Sequence, residues 1–133
     1  MTTQLTIETY GLIAVAIQAL LHVSVQGLVL KASVGNAWTV GARDNPVEPG
    51  MIAARAKRAT ENFIETAISF IAIALVIIVT ERSNMLTQIG CIVYVAGRFI
   101  YLPAYLTGIP WFRTLVWNAS TAGLAAMIAG VFL

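Results

Sequence analysis

Four apolar blocks, each about as long as a bilayer is thick, restrict this chain more than any other feature. They run from about Leu5 to Leu30, Glu61 to Thr80, Met85 to Leu106 and Trp111 to Leu133. Each approaches the ~20 residues that a helix needs to cross ~30 Å of hydrocarbon. Lipid leaves no water for unpaired backbone groups, and blocks of this length are too long for membrane strands, so each must be a helix. Only 11% of the 133 residues are charged, against about 25% in a soluble domain. Together these features specify an all-α membrane protein, a single four-helix transmembrane bundle. The expected helices cover about 5–30, 52–80, 85–106 and 111–132, with a loop at 31–50. Only "ERSN" separates the second and third blocks, which therefore form a tight antiparallel hairpin.

The start, "MTTQLTIETYG", has no basic segment leading a short apolar stretch and a cleavage site. It reads as a retained first helix rather than a signal peptide. Lys31, Arg43, Arg55, Lys57 and Arg58 lie between the first and second spans, and Arg113 lies between the third and fourth. The opposite side carries only Arg82. By the positive-inside rule both basic connections face the cytoplasm and both termini face away from it. That topology accounts for the net charge of +2 without nucleic acid. Phosphate-binding loops, dinucleotide fingerprints and His-based zinc motifs are missing from the sequence. A single cysteine, Cys91, excludes an internal disulfide and any cysteine-based metal site, and reads as a small packing residue. No metal is expected.

The connection "KASVGNAWTVGARDNPVEPG" is punctuated by glycine and proline and reads as loop. It is either a lid over a site or a cap at headgroup level, with Trp38 at the interface. Glu8 sits near the outer interface, within reach of water. Gln18, His22 and Gln26, spaced by four residues, read as one polar seam of helix contacts. The small residues of "STAGLAAMIAG" permit close helix packing.

Charge inside the spans is the feature that points to function. Arg55, Arg58, Asn62 and Glu65 follow one another at spacings of 3, 4 and 3 and share a helix face, which Ser69 extends. Arg55, Lys57 and Arg58 reach the cytoplasmic boundary by snorkelling, and Glu61 sits at its edge. Asn62 and Glu65 fall inside. Tyr94, Arg98, Tyr101 and Tyr105 repeat the pattern in the third span at spacings of 4, 3 and 4. A lone arginine at the depth of Arg98 costs at least about 2–3 kcal/mol and needs an anionic partner. Glu65 lies about 15 residues before the hairpin turn and Arg98 about 14 after it, at matching depths for a helix rising ~1.5 Å per residue. An Arg98–Glu65 pair is therefore expected. Such a pair could simply fix helix register. The cluster of Arg58, Asn62, Glu65, Arg98, Tyr101, Tyr105 and Arg113 is more polar than register needs, and suits a small ligand bearing carboxylates and an amine.

"RATENFIE" followed by "RFIYLPAY" and a later Arg resembles the MAPEG superfamily, membrane-associated proteins in eicosanoid and glutathione metabolism, over essentially the whole chain. The resemblance implies four transmembrane helices and a homotrimer. It implies a glutathione site formed by Arg58, Asn62 and Glu65, joined by Arg98, Tyr101 and Tyr105 from the third span. Arg113 matches the arginine at the start of the fourth helix that stabilises the glutathione thiolate, and is the catalytic candidate. Trp117 stands where the eukaryotic enzymes tend to have Tyr. "GARDNPVEPG" looks like the bacterial branch, which implies a bacterial inner membrane.

The expected activity is glutathione-dependent transfer or peroxidase chemistry on lipophilic electrophiles that arrive from the bilayer, with glutathione as co-substrate. The alternative is a non-catalytic scaffold or partner subunit that retains the fold and uses the polar cluster for assembly. A proton-coupled transporter using Glu65 fits less well, because the surrounding cations would hold its carboxylate ionised.

Overall fold

The computed structural model describes residues 4–133 and contains five helices: α1 (Ile7–Val34), α2 (Asn36–Val40), α3 (Met51–Val79), α4 (Met85–Thr107) and α5 (Pro110–Val131). Met1 to Thr3, the beginning of the segment read as a retained N-terminus, lie outside the described residues. Among the described residues there is no strand. The four long helices are each long and apolar enough to span a membrane, and the chain is an integral membrane protein. The first helix runs on past Leu30 to Val34, and the segment read as loop holds the short helix α2.

The helix ends follow local sequence. Thr6 caps α1 by accepting from the Thr9 amide at 3.3 Å. Asn84 and Thr87 form a reciprocal capping box that ends the hairpin turn and starts α4. Pro110 opens α5 at the position where a missing N–H costs nothing. Between α4 and α5 the chain turns at Gly108, whose φ of 75° lies in the left-handed region. The Arg55 guanidinium packs against that turn and donates to the Leu106 carbonyl at 3.1 Å.

α3 supplies the inner face through a seven-residue repeat of Ala56, Phe63, Phe70 and Ile77, all buried. Phe70 stacks on Tyr94 of α4 with centroids 4.6 Å apart. The small-residue stretch of α5 packs against α4 almost backbone to backbone. A Cβ added at Gly90 would press into the Gly123 carbonyl, and one at Gly123 would lie 2.7 Å from the Gly90 carbonyl. Cys91 is buried in this core, as a packing residue would be.

Two expectations need correction. Glu8 does not reach water: it is fully buried at the hairpin end of the bundle. Its carboxylate accepts from the Ser83 hydroxyl at 2.9 Å and from the Thr87 hydroxyl. The hairpin folds back over the first turn of α1, so a residue near the membrane boundary by count is enclosed by hydroxyls. The seam on α1 is also shorter than expected. Gln18 donates to the Val95 carbonyl of α4 at 2.8 Å and His22 stacks on Phe63 of α3 at 4.5 Å, while Gln26 makes no side-chain hydrogen bond among the described residues.

Candidate functional site

An open pocket of about 420 Å³ lies where α3, α4 and α5 diverge toward the end of the bundle that carries the long loop. α3 contributes Arg58, Glu61, Asn62 and Glu65; α4 contributes Tyr101 and Tyr105; α5 contributes Arg113, Thr114 and Trp117. Helical repeats of three and four residues aim one stripe of each helix at a common space. Six of the seven residues singled out from the sequence therefore line one cavity.

Tyr105 organises its cationic wall. Its hydroxyl accepts from Arg58 Nε at 3.3 Å, and the Arg113 guanidinium carbon sits 4.7 Å from its ring centroid. Tyr101 meets Tyr105 edge to face at 5.6 Å, so the two phenols form a continuous panel. Arg58 and Glu65 are exposed and Arg113 is partly buried. Among the described residues the only ion pair is the surface contact of Lys57 with Glu61 at 3.9 Å. The pocket thus presents Arg58 and Arg113 as cations, and Glu65 as a carboxylate, none of them neutralised by a charged neighbour.

Arg98 is the seventh residue, and it does not line the pocket. It is 1% exposed and lies behind the wall. The expected Arg98–Glu65 pair does not form. Instead Arg98 Nη2 donates to the Asn62 carbonyl at 2.8 Å, to Asn62 Oδ1 at 3.0 Å and to Thr66 Oγ1 at 2.6 Å. Depth along α3 is as expected, but rotation about it differs. At ~100° per residue, Thr66 lies about 60° from the buried Phe63, whereas Glu65 lies about 160° from it. Thr66 therefore turns inward to α4 while Glu65 turns out into the pocket. The Arg98 charge rests on neutral acceptors and on the face of Tyr101, 4.8 Å from its centroid. Thr66 also shares a 2.9 Å hydrogen bond with the Tyr94 hydroxyl, so Arg98, Asn62, Thr66 and Tyr94 form one neutral-acceptor network.

Sequence reasoning did not place Glu61, Thr114 or Trp117 in the site. Trp117 carried a usable signal: four residues after Arg113, it lies one turn along the same face of α5. Its indole Nε1 is buried without a partner. The long loop takes no part in the lining. It folds on itself, with Trp38 Nε1 donating to the Asn45 carbonyl at 2.7 Å and Arg43 packed over the Trp38 ring at 5.5 Å. No group of His, Cys, Asp and Glu among the described residues is arranged to hold a metal.

The space, the charges and the donors suit an elongated polar ligand with at least one carboxylate and one ammonium group. Comparison with known proteins adds one finding. The family model described as MAPEG family matches residues 11–133, nearly the full length. No curated protein and no solved structure gives a match.

Proposed function

Because the chain belongs to the MAPEG family, we propose that the pocket binds glutathione and uses its thiolate against lipophilic electrophiles, as a transferase or peroxidase. The observation that carries this reading is the set of unneutralised charges around Tyr105. Arg58 takes a glutathione carboxylate and Glu65 takes the ammonium group. Asn62, Tyr101 and Tyr105 supply hydrogen bonds. Arg98 acts from behind, holding Asn62 and Tyr101 in place and adding positive potential in a region of low dielectric.

Arg113 carries the chemistry. A cation beside a thiol favours its ionised form, and the thiolate is the attacking species. In a transferase step the sulfur forms a bond to the electrophilic carbon. The thiol proton passes to water, and the displaced group leaves with the bonding electron pair. In a peroxidase step the thiolate sulfur attacks the terminal oxygen of a hydroperoxide and the O–O bond breaks, so the alkoxide takes up a proton and leaves as the alcohol. A second glutathione thiol then displaces water from the resulting sulfenic acid to give the disulfide. Arg113 stabilises the sulfur charge in both cases, and the co-substrate enters between helices from the bilayer.

Arg58, Glu61 and Glu65 open outward on the face of α3, so a neighbouring copy would close the pocket. A homotrimer, as the family resemblance implies, places the site between subunits. The Lys and Arg bias supports a cytoplasmic loop end with both termini on the other side, and the likeness of the loop to the bacterial branch supports a bacterial inner membrane.

The test is calorimetric titration of the purified protein in detergent with glutathione, reading thiolate absorbance in parallel. Binding with a thiolate signal that disappears in Arg113→Ala supports the reading. Absence of binding at millimolar glutathione overturns it. That result would favour the scaffold alternative, which draws on the burial of Arg98 and its hydrogen bonds to Asn62 and Thr66.

A further inference from the structure

Arg98 faces α1 as well as α3, and its needs are unmet on that side. Nη2 carries all of its hydrogen bonds, while Nε and Nη1 are buried without partners. Two α1 side chains have the same deficiency. Gln18 places its amide nitrogen against the Val95 carbonyl at 2.8 Å, and its Oε1 is buried without a partner. His22 is held by its stack on Phe63, and its Nδ1 is buried without a partner. Among the described residues five buried side-chain polar atoms lack partners, and four of them belong to these three residues. The fifth is the Trp117 indole in the candidate pocket.

These three residues converge on one small space. A separate cavity of about 20 Å³ between α1 and α4 is lined by Gln18, Leu21, His22, Arg98, Phe99 and Leu102. Its only polar linings are the three side chains with unmet groups. A volume of roughly 10–15 Å³ on this measure holds one water molecule, provided two to four polar partners surround it.

We propose that this cavity is a binding site for a single structural water. The water accepts from an Arg98 N–H and donates to Gln18 Oε1 and to His22 Nδ1. Which end of the Gln18 amide faces the cavity is settled by Val95, because a flipped amide would set its oxygen against a carbonyl oxygen. That inward oxygen also selects the ligand. A halide would gain from Arg98 but face the Gln18 lone pairs, whereas water both accepts and donates. The water ties α1 to the arginine that holds Asn62, so Gln18 and His22 are positioning residues for the wall of the larger pocket. The site stands on its own geometry, whether or not that pocket takes glutathione.

A high-resolution structure of the unaltered protein tests the proposal directly. The expected result is a solvent peak within ~2.6–3.2 Å of Gln18 Oε1, His22 Nδ1 and one Arg98 nitrogen. A blank cavity, or a bromide anomalous peak there after soaking, overturns it. Infrared difference spectra in ¹⁶O and ¹⁸O water supply a second readout that needs no lattice. A sharp, isotope-shifted O–H band should be present in the parent and in Gln26→Leu, whose side chain lies outside the cavity, and missing in Gln18→Leu. A band unchanged in Gln18→Leu, or missing in the parent, sinks the assignment.

Discussion

Arg58 donates its Nε–H to the Tyr105 hydroxyl at 3.3 Å, while Arg113 lies over the face of the same ring at 4.7 Å. One phenol therefore orients two cations from two different helices, by its oxygen and by its π face. Removing the oxygen alone separates the two roles. Tyr105→Phe should weaken glutathione binding by about 1 kcal/mol, or roughly fivefold in Kd, because Arg58 loses its fixed partner. The thiolate signal at saturation should be retained, since the ring still lies beneath Arg113. Titration calorimetry with parallel absorbance checks both, and a lost thiolate signal would show that the hydroxyl itself supports the sulfur.

Arg113 is the only pocket cation that α5 contributes, and nothing else among the lining residues can replace its charge at that wall. Arg113→Ala should lower kcat for conjugation by about 100-fold, in the range seen when one preorganised charge stabiliser is removed. Kd for glutathione should change far less, and the particle mass by size-exclusion chromatography with light scattering should match that of the parent. Equal losses in binding and turnover would instead make Arg113 a binding residue.

The Arg98 network makes opposite predictions for two neighbours on α3. Asn62→Ala removes one of the two side-chain acceptors of a buried guanidinium and should cost about 1–3 kcal/mol of stability. Glu65→Gln touches no partner of Arg98 and should leave stability within about 0.5 kcal/mol of the parent, while weakening ligand binding. Reversible unfolding in mixed micelles measures both. A large loss in Glu65→Gln would restore the ion pair that the hydrogen bonds to Asn62 and Thr66 replace.

The spans, the hairpin and the polar stripes were legible because hydrophobic length and helical spacing are properties of the chain itself. Six residues of the pocket could be collected in this way from α3, α4 and α5. Spacing fixes depth along a helix well but rotation poorly. Glu65 and Thr66 are adjacent in sequence and nearly equal in depth, and only packing of the Phe63 face against its neighbours decides which one meets Arg98. Glu8 escaped for a related reason. Its distance from the end of the span was readable, but the folding of Ser83 and Thr87 over it was not. Trp117 was visible in sequence, and its unpartnered indole is a property of the assembled pocket alone.

The α4–α5 seam gives a prediction about stability rather than chemistry. Gly90 and Gly123 face each other so closely that a methyl group on either would press into the opposing carbonyl, and backbone cannot move aside as a long side chain can. Gly123→Ala should therefore force the helices apart and cost about 1–3 kcal/mol, the usual range for overpacking a filled interior. Gly27 of α1 is the matched control, because a Cβ there meets nothing within 4 Å. Gly27→Ala should be neutral or stabilising by up to ~1 kcal/mol, since alanine is the better helix former. Both variants can be compared by the same unfolding titration. Similar behaviour of the two would mean that α4 and α5 are held by their flanking side chains, Tyr94 and Met127 among them, rather than by the close approach of their backbones.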